Sequence, residues 1–163
     1  MRKIKIAQIG TSANSHGNWI FNSLKKQKDV FEIVAYAMPE QEREKFPNNL
    51  NVFAGYREMT VEEILRNPDI EAVTIETEEL YLTKYAQMAA EAGKHIHMEK
   101  PGGTVLEDFE RLVRTLKAKK LAFSLGYMYR FNPIINAVIE KLKNLEKTNE
   151  TMLIKFKNFK PLS

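Results

Sequence analysis

The 163-residue sequence contains no cysteine, which excludes disulfides, thiolate nucleophiles and thiolate metal sites. Long apolar runs are missing too. The opening MRKIKIAQIG is a charged pair followed by strand-like alternation, unlike a signal peptide or a membrane span. No membrane partner is expected, and the expected compartment is the cytoplasm. There are only three histidines. His95 and His97 alternate on one face without a third ligand nearby, so no metal site is expected. The net charge of +4 comes largely from late lysines such as Lys117, Lys119, Lys141 and Lys143, spaced as on a solvated face. No aromatic-interleaved platform accompanies them, so no nucleic-acid partner is expected. Internal repeats and low-complexity linkers are also lacking.

With 44% hydrophobic and 28% charged residues spread evenly, the composition is that of an ordinary globular protein. Short apolar runs alternate with segments of helical period, the signature of βαβ units around a parallel sheet. Strands are expected at residues 3–9, 31–37, 51–54 (a weak one), 70–76, 95–98 and 121–125. The first helix is expected to carry Trp19, Ile20, Ser23 and Leu24. Thr60 and Glu63 form a capping box that opens a short helix, and Asn67-Pro68 closes it. A further helix spans residues 83–92, with Gly93 as its left-handed cap. Phe109, Leu112, Val113 and Leu116 mark the next helix. Asn132-Pro133 then starts a strongly periodic one, and alternation over 152–156 suggests a last strand. The expected fold class is α/β, a doubly wound Rossmann-type, mostly parallel sheet with helices on both faces.

In such a sheet a ligand sits outside the carboxyl ends of the strands. The loop Gly10-Thr11-Ser12-Ala13-Asn14-Ser15-His16-Gly17 runs from a strand into a helix, as a pyrophosphate loop must. It departs from G-x-G-x-x-G: Ser12 and Ser15 hold the other glycine places, and Gly17 comes two positions late. A dinucleotide would then be held more loosely, with hydroxyls of Thr11, Ser12 and Ser15 and the His16 ring as candidate phosphate donors. The alternative is a polar surface turn. The second strand should end in an acid that bonds ribose hydroxyls, but Met38 stands there, with Glu40 two residues on and Arg43 five on. NAD and NADP both stay open. Lys100, at the end of a strand and beside Glu99, could donate a proton to a substrate hydroxyl or carbonyl oxygen, while Pro101 fixes the turn.

Residues 70–76 followed by Ala89-Ala-Glu-Ala-Gly-Lys-His-Ile-His-Met-Glu-Lys-Pro101 resemble the glucose–fructose oxidoreductase/inositol dehydrogenase (Gfo/Idh/MocA) family. Gly93-Lys94-His95 with Glu99-Lys100-Pro101 is the most specific part, and Gly126-Tyr-Met-Tyr-Arg-Phe-Asn-Pro133 is similar to the family's crossover into its substrate domain. The resemblance implies an NAD(P)-binding Rossmann domain at 1–126. It implies a crossover helix and the first strand of a substrate domain at 127–163. Lys100 becomes the active-site lysine, with a peptide bond to Pro101 that can be cis, and Arg130 lies near nicotinamide and substrate. Thr77-Glu78 falls where the family has a Thr-Pro pair against the cofactor, and Tyr81 where a histidine is common. No Asp-x-x-x-His motif of the family's substrate domain occurs in the chain.

Three readings follow. The chain is the nucleotide-binding part of an oxidoreductase that moves hydride between NAD(P) and a sugar or polyol, a substrate bound only where a substrate domain is supplied. Alternatively it is a stand-alone NAD(P)-binding module without catalysis. In the third reading it is a degenerate relative acting as an interaction or structural protein, whose last strand edge drives homo-oligomerisation.

Overall fold

The structure, a computed structural model, describes residues 2–148; the strand expected at 152–156 lies outside them. One compact unit extends to Tyr127 and a second begins at Met128. In the first, five strands form a parallel sheet: β1 (Ile4–Ile9), β2 (Phe31–Ala37), β3 (Ala72–Ile75), β4 (His95–Met98) and β5 (Phe123–Leu125). Their order is β2-β1-β3-β4-β5. Helices α1 (Gly17–Lys26), α2 (Glu42–Lys45), α3 (Val61–Arg66), α4 (Leu82–Glu91) and α5 (Leu106–Ala118) make the connections. Among the described residues, no helix is long and apolar enough to cross a membrane.

Why the strands are short runs of apolar residues follows from their burial. In β1, Ile6, Ala7, Gln8 and Ile9 are all buried, and so are Val73, Thr74 and Ile75 in β3. Both faces of a parallel sheet are covered, so strict alternation gives way to continuous burial. Alanines at 86, 89 and 90 of α4 are fully buried and let that helix lie close on the core, where Leu112 and Leu116 of α5 join it.

Register decides where the chemistry can sit. Ile9 pairs with Ala37 on one side and with Ile75 on the other, and Ile75 pairs with Met98. The carboxyl ends of β2, β1, β3 and β4 are therefore level, and the residues just beyond them, Met38, Gly10, Glu76 and Glu99, form one row. The chain order reverses between β1 and β3, which makes that gap the crevice of the fold.

One local expectation fails for a visible reason. Residues 51–54 are not a strand: Pro47–Phe53 is a 3₁₀ helix. Proline opens it and three asparagines favour turns, while the lone buried aromatic, Phe53, plugs between Phe21 and Tyr36 with ring centroids 4.6 and 4.5 Å away. Pairing to the β2 edge survives only as a bridge between Tyr36 and Glu58. Helix α1 carries Trp19, Ile20, Ser23 and Leu24 as expected; its buried residues are Gly17, Phe21 and Leu24, and Trp19 is 76% exposed. The second unit shows a 3₁₀ turn, Met128–Phe131, and α6 (Pro133–Thr148). Asn132 Oδ1 accepts the Ile134 and Ile135 amides and so caps α6.

The capping box of α3 is complete: Thr60 Oγ1 accepts the Glu63 amide at 3.1 Å and Glu63 Oε2 accepts the Thr60 amide at 2.7 Å. Thr60→Ala should cost about 1 kcal/mol and lower Tm by about 3–5 °C, whereas Thr60→Ser should keep most of the stability. An unchanged Tm for the alanine variant in a thermal melt contradicts this role.

Candidate functional site

Three loops meet at the carboxyl edge of the sheet. The first follows β1. Gly10 adopts φ +88°, and a Cβ there would lie 2.5 Å from Thr77 Cγ2 and 2.7 Å from the Thr77 amide nitrogen. Only glycine lets the β1 loop run this close to the loop after β3. At its other end Gly17 opens α1, where a Cβ would sit 3.1 Å from Gln8, Glu76 and Ser15 atoms. Gly17 therefore does the close-packing work of a third glycine, and the loop between is two residues longer than G-x-G-x-x-G. Buried Gln8 supports both ends, donating from Nε2 to the carbonyls of Gly10 and Gly17.

The loop's polar groups are largely engaged internally. The Thr11 hydroxyl donates to Asn18, and the Ser15 hydroxyl donates to the Ser12 carbonyl while accepting the Gly17 amide. The Ser12 amide donates to the Glu76 carbonyl. Two amides, those of Ala13 and Asn14, make no hydrogen bond to any described residue. They stand, with Ser12, at a hollow of about 250 Å³ whose far wall is Phe46, Glu78, Glu79 and Leu80, close to the positive end of the α1 dipole.

Beyond β4, the carboxylate of Glu99 is buried and joins two loops. Oε2 accepts the His16 amide at 2.9 Å and meets His16 Nδ1 at 2.8 Å, and Oε1 accepts the Lys100 amide at 2.8 Å. Burial alone would raise its pKa, but the His16 amide and ring and the Lys100 amide outweigh that and hold it below the usual range. Because an ionised carboxylate only accepts, His16 presents Nδ1–H to it. The ring is thus turned toward Glu99. Lys100 is half-buried and Pro101 exposed, the peptide between them is cis, and the Tyr127 hydroxyl donates to the Pro101 carbonyl.

Two buried acids belong to the site although nothing in the sequence reading singled them out. Glu76, fully buried, ends the otherwise apolar run Val-Thr-Ile and has no hydrogen-bond partner for either carboxyl oxygen among the described residues. Burial first, and the nearby Glu99 charge second, push its pKa up to about 9 against a smaller effect of Lys100. At neutral pH it is a neutral acid, 3.9 Å from His97 Nε2, and burial lowers the pKa of His97 in turn. The signal available in the sequence was an acid at the last place of a strand buried on both faces. Glu42 is the other: its Oε2 accepts the Thr11 amide at 2.8 Å and its Oε1 has no partner. Burial raises its pKa to about 7, opposed by the Thr11 and Glu78 amides. It lies in the charged run Glu40-Gln-Glu-Arg-Glu-Lys45, which reads as a solvated face, so no local signal marks it.

The remaining candidates are placed as follows. Met38 lines a cleft of about 590 Å³ at the end of β2. Thr77 is buried against Gly10, Glu78 is bridged by Lys45, and Tyr81, half-buried, has the Lys84 ammonium 5.6 Å above its ring. Arg130, in the second unit, is exposed within the 3₁₀ turn. Gly10, Ser12, His16, Thr77 and Glu99 are thus brought together in the first unit, and Lys100 adjoins them through the Glu99 carboxylate.

Comparison with known proteins bears on this geometry. Residues 4–127 match the family described as an oxidoreductase family with an NAD-binding Rossmann fold. A dehydrogenase of 1-carboxy-3-chloro-3,4-dihydroxycyclohexa-1,5-diene from Comamonas testosteroni is 33% identical over 78 residues, which are 47% of this chain and 20% of that protein. The myo-inositol dehydrogenase of Lactobacillus casei, solved with NAD(H) and myo-inositol, superposes with a TM-score of 0.74 at 25% identity, covering 88% of this chain and 42% of its own. The 3-ketoreductase KijD10 of Actinomadura kijaniata, solved with NADP, gives 0.70 at 22% identity, covering 88% and 43%. The chain spans less than half the length of each of these proteins.

The Glu76 acid generates a pH dependence. Its pKa in the folded protein is far above the ordinary 4.5, so the folded state holds the proton more tightly than the unfolded chain does. Its contribution to stability is complete below pH 4.5 and is lost as pH rises toward 9. Thermal melts across that range should show Tm declining with pH, and Glu76→Gln should flatten the decline. Parallel curves for the two proteins contradict a buried neutral acid.

Proposed function

The chain belongs to the Gfo/Idh/MocA oxidoreductase family, with its NAD-binding Rossmann fold, and from that premise we propose that it is the nucleotide-binding part of an NAD(P)-dependent oxidoreductase acting on a sugar or polyol. The observation that carries this reading is the pair of unengaged amides at Ala13 and Asn14, two residues that line a hollow beside the loop leading into α1. Amide donors and the nearby helix N-terminus would favour a pyrophosphate there, against the Glu78 and Glu79 carboxylates of the far wall. Gly10 and Gly17 hold the loop down on the sheet so that it can approach.

The residues that would hold the cofactor divide by loop. Gly10 to Asn14 would hold the pyrophosphate, and the Thr77–Glu78 segment would flank it. Because the Glu42 carboxylate already engages the Thr11 amide, fewer donors are left for phosphate, and affinity in the micromolar rather than the nanomolar range is expected. The nicotinamide, when bound, would give or take hydride. Lys100 would stand beside the reacting oxygen and move a proton at Nζ. Glu99 would position it by fixing the Lys100 amide, and through His16 would tie that lysine to the phosphate loop.

Fluorescence titration with NADH and NADPH tests the reading. Saturable binding of at least one is expected, and binding of neither overturns it. In the full-length protein, Lys100→Ala should lower kcat by about a hundredfold or more, the usual size of a lost acid–base group. Kd for the nucleotide should stay nearly unchanged, and an unchanged kcat refutes the role given to Lys100.

A further inference from the structure

After β2 the chain turns back over the gap between β1 and β3, and residues 40–49 are tied to the loops on both of its sides. On the β1 side, Glu42 Oε2 accepts the Thr11 amide and Asn49 Nδ2 donates to the Thr11 carbonyl, each at 2.8 Å. On the β3 side, the Lys45 ammonium meets the Glu78 carboxylate at 2.8 Å. At the start of the segment the Tyr85 hydroxyl and the Lys84 ammonium each lie 2.6 Å from Glu40 Oε1. Phe46 lines the same hollow as Ser12, Ala13 and Asn14.

The segment keeps this course at a cost. Glu40 adopts φ 55° and Gln41 φ 60°, left-handed values on two successive residues that are not glycine. Such strain persists only where the surroundings over-determine it, and it gathers at switch regions and ligand clamps. Helix α2 has four residues and no side-chain bond at its N-cap, so the distant tethers, not the local sequence, hold the turn. The Glu42 side chain is fully buried, and its Oε1 has no partner among the described residues. Burial pushes its pKa up to about 7, the mark of a carboxylate kept from water with incomplete compensation.

We infer that the Glu42 carboxylate is an internal ligand of the crevice, seated on the Thr11 amide in place of a phosphate oxygen, and that an incoming dinucleotide displaces it. This rests on the nucleotide-binding reading above. A phosphate drawn to the Ala13 and Asn14 amides arrives two residues along the loop from the Glu42 charge. Like charges repel, more strongly where water is excluded. On leaving, the carboxylate regains water, the strained turn at Glu40 and Gln41 relaxes, and the Thr11 amide becomes a third donor. Glu42 thus holds affinity down, the reverse of what a residue that grips the ligand does.

Calorimetry with NADH and with inorganic pyrophosphate tests this on the native protein, Glu42→Ala and Glu42→Gln. Glu42→Ala removes both the charge and the occupant of the Thr11 amide. It should tighten both ligands by about tenfold, the size of one freed hydrogen bond to a charged group. Glu42→Gln still accepts that amide but carries no charge, and should tighten them less; it keeps the side chain's volume and decides the matter if the alanine variant does not fold. In the native protein, the Thr11 amide followed by NMR should move at saturation with pyrophosphate. Weaker or unchanged affinity in the folded variants, or a Thr11 amide that stays in place at saturation, overturns the inference while leaving nucleotide binding intact. Binding of neither ligand by any of the three proteins removes the underlying reading and this inference with it.

Discussion

One carboxylate couples the parts of the candidate site. Glu99 accepts the His16 amide and ring on one oxygen and the Lys100 amide on the other, so it ties the loop after β1 to the lysine after β4. Hydrogen bonds to a charged group contribute about 1.5–3 kcal/mol each, and this one is 3% exposed, where water cannot replace a lost partner. The neighbouring acid adapts to it: Glu76, beside an anion and without donors, keeps its proton. The Glu76–Glu99 pair therefore carries one negative charge instead of two.

The second constraint is steric. Gly10 meets Thr77 with no room for a side chain, and this holds the loops on either side of the β1–β3 gap together. Glu42 then enters the same gap from α2 and takes the Thr11 amide, moving the free donors to Ala13 and Asn14. The loop is two residues longer before Gly17, which still packs α1 on Gln8 and Glu76. On the proposed reading, the departure from the familiar glycine spacing relocates the anion cradle along the same loop.

Much of the fold was legible because it rests on local signals. Apolar runs with β-branched residues gave the five strands, the Thr60–Glu63 box gave α3, and Gly93 closed α4 with φ +77°. The segment around Phe53 was misread because three apolar residues in a row resemble a strand when the partners that bury one of them, Phe21 and Tyr36, are out of view. The site was legible where it rests on a local string, as in Glu99-Lys100-Pro101. It was hidden where it depends on long-range register: nothing in the run from Glu40 to Lys45 says that one glutamate will be fully buried on Thr11 and another anchored by a tyrosine forty-five residues away.

The central claim is that the Ala13 and Asn14 amides form the anion cradle and that Lys100 shares a site with them through Glu99. Amide chemical shifts followed by NMR during titration with NADH address it residue by residue. The account predicts the largest shifts at Ala13 and Asn14, with a concerted shift at Lys100. Shifts that saturate elsewhere on the sheet, leaving those three amides unmoved, contradict it.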